Sequence, residues 1–187
     1  MKPLAGVKVL DLSRLLPGPM CSWYLRGLGA DVVKLEQPGI GDYLRHVPPY
    51  APDGTGAWFS VLNAGTRSVV VDLHTPEGPA AVLDMIAAHG FDVVVEGFRP
   101  GVMARLGLDP AALVQRFPKL VVASISGFGQ DGPMVDLPGH DIGYVGFTGS
   151  LATAARPGGV PTLPSVQVAD MAGGALTAAM RVCAALF

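Results

Sequence analysis

Cysteine is nearly absent: Cys21 and Cys183 are the only two in 187 residues. They share no CxxC spacing, which excludes a disulfide framework and a cysteine-rich zinc site and leads us to expect a reducing, cytoplasmic setting. Excess charge of either sign is missing too. Thirteen Lys and Arg stand against 15 Asp and Glu, a formal charge of -2. No basic block of the kind that neutralises a phosphate backbone occurs, so nucleic acid is not expected as a partner. No apolar run reaches the roughly 18 residues of a membrane span, and Asp11 and Arg14 interrupt the first apolar segment where a secretory leader needs continuity. Neither membrane insertion nor secretion is expected, and the final Ala-Ala-Leu-Phe is no peroxisomal or ER address. Also missing are a Walker A loop, a Gly-x-Ser-x-Gly elbow and a His-Glu-x-x-His helix, the usual signatures of P-loop, hydrolase and zincin chemistry. No metal site is expected.

Apolar residues and turn formers are what the chain has in quantity. Half of it is hydrophobic and 15% is charged, and at this length about 70% of the unfolded surface can be buried, enough for one core. Residues 7–12 and 31–36 read as strands, joined by a Pro-Gly-Pro turn and a helical pattern over 20–28. Residues 37–66 read as a long loop with a short packed insert near its end. Strands follow at 67–73, 92–96 and 120–126, alternating with a helix at 76–88 and short helices at 103–106 and 110–117. Strands alternating with helices predict an α/β fold, a doubly wound, mostly parallel sheet with helices on both faces. A Gly- and Pro-rich stretch and a C-terminal helix from Asp170 complete one lobe spanning 1–187. That helix stops at Phe187 on apolar residues without a cap, as if cut from a longer architecture.

Several residues invite a chemical reading beside a plain one. Gly127, Gly129 and Gly132 spell GxGxxG after a strand, but the Pro-Met-Val-Asp-Leu-Pro that follows Gly132 cannot open the helix a dinucleotide site requires. His140 and Asp141, in Gly-His-Asp-Ile-Gly-Tyr, are either a turn histidine with a helix-starting aspartate or members of an active site. Asp170 reads as an N-cap that accepts first-turn amides and stays ionised at neutral pH, while Gly173 and Gly174 leave backbone open to a ligand. Phe98, Arg99 and Arg105 follow a buried strand and are either solvated surface groups or an anion-holding set.

The ordered segments LAGVKVLDLSRLLPGP, LGADVVKLEQPGIGD, NAGTRSVVVDLHTPEG, VEGFRPGVMARLG, GHDIGY and VADMAGG resemble one family, the family III CoA-transferases, which include the α-methylacyl-CoA racemases. The resemblance implies a Rossmann-like lobe, acyl-CoA thioester substrates with coenzyme A as the carrier and no covalently bound cofactor. It also implies longer chains that interlock as dimers, so that a second copy or a complementing half-chain is the expected partner. Residue by residue, Leu15, Leu16 and Pro17 resemble the loop along CoA. Phe98, Arg99 and Arg105 resemble contacts to its adenine and phosphate end, Val71 and His74 flank the nucleotide, and Asp170 matches the catalytic aspartate. Three positions depart from the family: Gln37 stands where an arginine is usual, His74 replaces a frequent lysine and Gly97 a common asparagine, which implies fewer phosphate contacts. The transferase branch uses the aspartate as a nucleophile on the thioester. The racemase branch exchanges the α-proton between two bases, here His140, polarised by Asp141 or another carboxylate, and Asp170. The histidine favours the racemase branch; a transferase and an inactive CoA-binding half-chain are the alternatives.

Overall fold

In the computed structural model, residues 2–155 and 158–187 are described. Five aliphatic runs become the strands of one sheet: β1 (Lys8–Asp11), β2 (Asp31–Glu36), β3 (Arg67–Val70), β4 (Val93–Glu96) and β5 (Val121–Ser124). Their order is β3-β2-β1-β4-β5, and every pairing is parallel. The central strand β4 is covered on both faces, which is why it reads Val-Val-Val-Glu and is buried throughout, whereas the edge strand β3 is largely exposed.

Alternate residues divide the core in two. Val9, Val32, Val93 and Val95 face one side, where α1 (Pro17–Gly27) supplies Met20, Cys21 and Leu25 and the C-terminal helix α8 supplies Ala179 and Val182. Leu10, Leu12, Leu35 and Val94 face the other, against Val82 and Ile86 of α3, Met103 of α4 and Leu113 of α5. The helices not yet bounded are α2 (Ala57–Leu62), α3 (Glu77–His89), α4 (Val102–Arg105), α5 (Pro110–Arg116), α6 (Asp141–Phe147), α7 (Ser150–Thr153) and α8 (Thr177–Leu186). The doubly wound sheet expected from the alternation is therefore present, and no helix among the described residues is long and apolar enough to cross a membrane.

Four local readings change. Helix α1 begins at Pro17, not at residue 20: proline at the first helical position has its φ already set, and Gly18 lies so close to the Ser13 side chain that a Cβ would overlap it. The expected long loop holds a 3₁₀ turn at Tyr43–His46 as well as α2. Helices α6 and α7 occupy the Gly- and Pro-rich stretch. Finally, α8 is entered through a π-helical segment, Ala169–Leu176, a geometry with wider turns that occurs often at functional sites.

Candidate functional site

Because all five strands run the same way, their carboxyl ends share one edge, and the strand order reverses between β1 and β4, the place where open α/β sheets hold ligands. At that point β1 ends in the buried Asp11, whose carboxylate accepts the Ser13 amide at 2.8 Å and also the Ser13 hydroxyl. Lys34 of β2 is 1% exposed. Its Nζ lies 2.9 Å from Asp42 Oδ2 and 3.9 Å from Asp11 Oδ2, and it donates to the Ser13 carbonyl at 2.8 Å. Asp42 Oδ1 in turn accepts the amides of Leu15 at 3.2 Å and Leu44 at 3.0 Å. This buried set holds Leu15 at φ +63°, the one non-glycine in the left-handed region among the described residues, a conformation that costs roughly 1–2 kcal/mol. Of the three residues expected along the carrier, Leu15 is exposed, Leu16 is buried in the core and Pro17 is half-buried as it opens α1.

Arg14, which the sequence does not mark as a site residue, joins two of those that were. Its guanidinium carbon lies 5.0 Å from the Tyr43 ring centroid and 5.5 Å from that of Phe98, and Nη1 donates to Gln37 Oε1 at 3.3 Å and to the Tyr43 hydroxyl at 3.1 Å. Tyr43 is held from behind. Arg45, on the same turn, gives two 2.7 Å bonds to the buried Glu36, which also takes the Ser68 hydroxyl at 2.5 Å and the Asp42 amide at 3.0 Å. Burial alone would raise the Glu36 carboxyl; the donors and the Arg45 charge overcome it and hold the pKa at about 2.

At the end of β4, Glu96 is buried and accepts the Phe98 amide at 2.8 Å. Burial pushes its pKa up, and hydrogen bonds from Ser124 and Phe98 offset only part of this. Glu96 and Ser124 floor a cleft of about 250 Å³ whose walls include Arg99, Met103, Asp109 and Gln130. Arg99 and Arg105 are both exposed, Arg105 at the end of α4. Val71 packs against the apolar core beside α3, and His74 is exposed after β3.

The chain folds back to bring His140, Asp141 and Asp170 together, in a different arrangement from the one expected. Asp141 is buried and its Oδ1 accepts the Asp170 amide at 2.8 Å. It is therefore engaged with the backbone of Asp170, and no bond from it to the His140 ring is formed. Asp170 is not an N-cap: the π-helical segment starts one residue earlier with Val168 as its cap, and the Asp170 side chain takes no first-turn amide. Burial raises the Asp170 pKa, the Asp141 charge raises it further and His140 lowers it. This reverses the expectation that helix-end amides would stabilise the charge. Tyr144 of α6 joins the group, its pKa raised by burial and by the Asp170 charge; its ring packs so closely on Gly127 and Gly139 that a Cβ at either would overlap it. Gly174 does not face a ligand, since its Cβ position is 3.0 Å from Pro17 Cβ; nothing lies within 4 Å of that at Gly173. The Gly127–Gly132 motif opens no helix, the next one being α6.

Comparison with known proteins follows the same lines. The sequence profile of CoA-transferase family III matches residues 4–187. The chain is 40% identical over 178 residues to succinate–glutarate CoA-transferase of Agrobacterium fabrum, covering 92% of this chain and 44% of that protein. It is also 40% identical over 184 residues to human α-methylacyl-CoA racemase, covering 98% and 44%. The crystal structure of a CAIB/BAIF family protein from Brucella suis superposes with a TM-score of 0.91 at 36% identity, over 99% of this chain and 49% of the other. The chain thus spans about half the length of the proteins it matches.

Proposed function

We propose, for a chain that belongs to the family III CoA-transferases, that residues 1–187 form one CoA-thioester-binding lobe whose chemistry is a racemase-like 1,1-proton transfer. The carrier lies along the carboxyl edge of the sheet, over Leu15 and Pro17 and toward Gln37, Phe98, Arg99 and Arg105, with the reacting acyl group at His140 and Asp170. One group removes the α-proton while the electron pair moves onto the thioester oxygen, and the other returns a proton to the opposite face of the planar enolate; the C–S bond stays intact. The observation that supports this reading is the 2.8 Å bond from the Asp170 amide to Asp141 Oδ1, which brings Asp170 to the start of the helix that follows His140. A carboxyl whose pKa is raised exchanges protons nearer to neutrality than an ordinary one. The rest of the acyl pocket is supplied by the remainder of the family architecture or by a second chain.

A second reading is favoured by the equal identity to a CoA-transferase. Here the Asp170 carboxylate attacks the thioester carbonyl, the C–S bond breaks, CoA leaves as thiolate and an acyl-aspartyl anhydride remains. Incubating the protein with a 2-methylacyl-CoA in deuterium oxide separates the two. Exchange of the α-hydrogen that is lost for one epimer in His140→Ala and for the other in Asp170→Asn supports proton transfer. Formation of an aspartyl hydroxamate at Asp170 on adding hydroxylamine, without exchange, refutes it in favour of the transferase.

A further inference from the structure

Arg14 is a cation at the sheet's switch point that has no anion among the described residues. Among the described residues no carboxylate lies within 4 Å of its side-chain nitrogens, whereas Arg45 next to it is paired twice with Glu36. The guanidinium is half-buried between the rings of Tyr43 and Phe98, and only Nη1 has hydrogen-bond partners, Gln37 Oε1 and the Tyr43 hydroxyl. Nε and Nη2 remain as donors. Two neighbouring rings and the two Nη1 bonds restrict the guanidinium, so less of its rotamer freedom remains to be lost when it binds. Its neighbour Leu15 is strained and clamped through Asp42, so the backbone that presents Arg14 is set beforehand as well.

We infer that Arg14 is an oxyanion-holding residue of this site, taking its ligand through Nε and Nη2 while Nη1 keeps its present partners. The inference rests on the thioester reading above. That ligand can bring an oxyanion from two sources, the phosphates of the CoA nucleotide or a carboxylate on the acyl group, and the chemistry recognised is the same: a planar fork opposite two oxygens. Gln37 is then a positioning residue whose side-chain carbonyl aims the fork.

The test uses the whole chain, titrated with acetyl-CoA and succinyl-CoA by calorimetry and with acetyl-pantetheine by ligand-observed NMR, in wild type, Arg14→Gln and Arg14→Lys. If the oxyanion is a phosphate, Arg14→Gln weakens acetyl-CoA and succinyl-CoA at least tenfold and leaves acetyl-pantetheine unchanged. If it is an acyl carboxylate, only succinyl-CoA is weakened. Arg14→Lys keeps the charge without the fork and falls between, about threefold weaker; it carries the test alone should Arg14→Gln not fold. Affinities within twofold of wild type for all three ligands overturn the inference and leave the thioester reading standing. Failure of the wild-type chain to bind any of them overturns both.

Discussion

Replacing Glu36 with Gln tests whether the turn under Tyr43 is held by charge or by shape alone. Glu36 is 3% exposed at the end of β2, and the two Arg45 bonds, the Ser68 hydroxyl and the Asp42 amide all fall on its two oxygens. Against the opposing effect of burial, these bring its pKa from the ordinary 4.5 to about 2. By proton linkage that difference is worth roughly 3 kcal/mol of stability. Arg45 is 34% exposed, so solvent screening places the loss in Glu36→Gln nearer about 2 kcal/mol. The sign follows from the folded pKa lying below the unfolded one. The contribution is complete above about pH 5 and disappears as the pH falls from 4.5 through about 2. Urea unfolding of wild type and Glu36→Gln at a series of pH values should show a constant gap near neutrality that closes through this window. A gap independent of pH, or one below about 0.5 kcal/mol at pH 7, would refute the reasoning.

Two further outcomes follow from buried groups. Lys34→Met leaves Asp11 and Asp42 buried without their cation, and should cost about 3–5 kcal/mol; adding Asp42→Asn, which keeps the acceptor for Leu15 and Leu44, should recover part of it, and denaturant melts of the single and double variants measure both. Cys21 is fully buried with its thiol pushed up to about 12 by burial and then by the nearby Asp11 and Cys183. A chromogenic disulfide reagent should therefore modify the half-buried Cys183 in the native protein and reach Cys21 only on unfolding, and two native thiols of equal rate would contradict the packing.

The strands were legible because a parallel strand covered on both faces leaves an unbroken aliphatic run, as in Val93–Val95. Helices α6 and α7 were hidden by Gly143, Gly146 and Gly149, which break the apolar period; the fold recovers α6 by seating Tyr144 on the bare backbone of Gly127 and Gly139. The grouping of His140, Asp141 and Asp170 could be named from motifs, yet the partner of Asp141 could not, because an amide at the start of a π-helical segment leaves no sequence signature. Arg14 carries no sequence signal for a related reason. Its surroundings come from Tyr43 and Phe98, which follow two other strands, and no local pattern announces a tertiary contact. Glu96 at least ends a buried strand with a charge, a signal that could have marked it.

Of the five strands, β1 comes first in the sequence and lies in the middle of the sheet. Its bond to β2 forms early, but its other neighbour is β4, and the Lys8 amide meets its Asp92 carboxylate 84 positions later. At cellular elongation rates that interval is about 4–17 s. Throughout it, one edge of β1 carries unpaired amides and carbonyls, and Leu10 and Leu12 lack the helices that cover them in the native core. The interval between the synthesis of β2 and that of β4 is therefore the one in which this edge of β1 has no native partner to pair with.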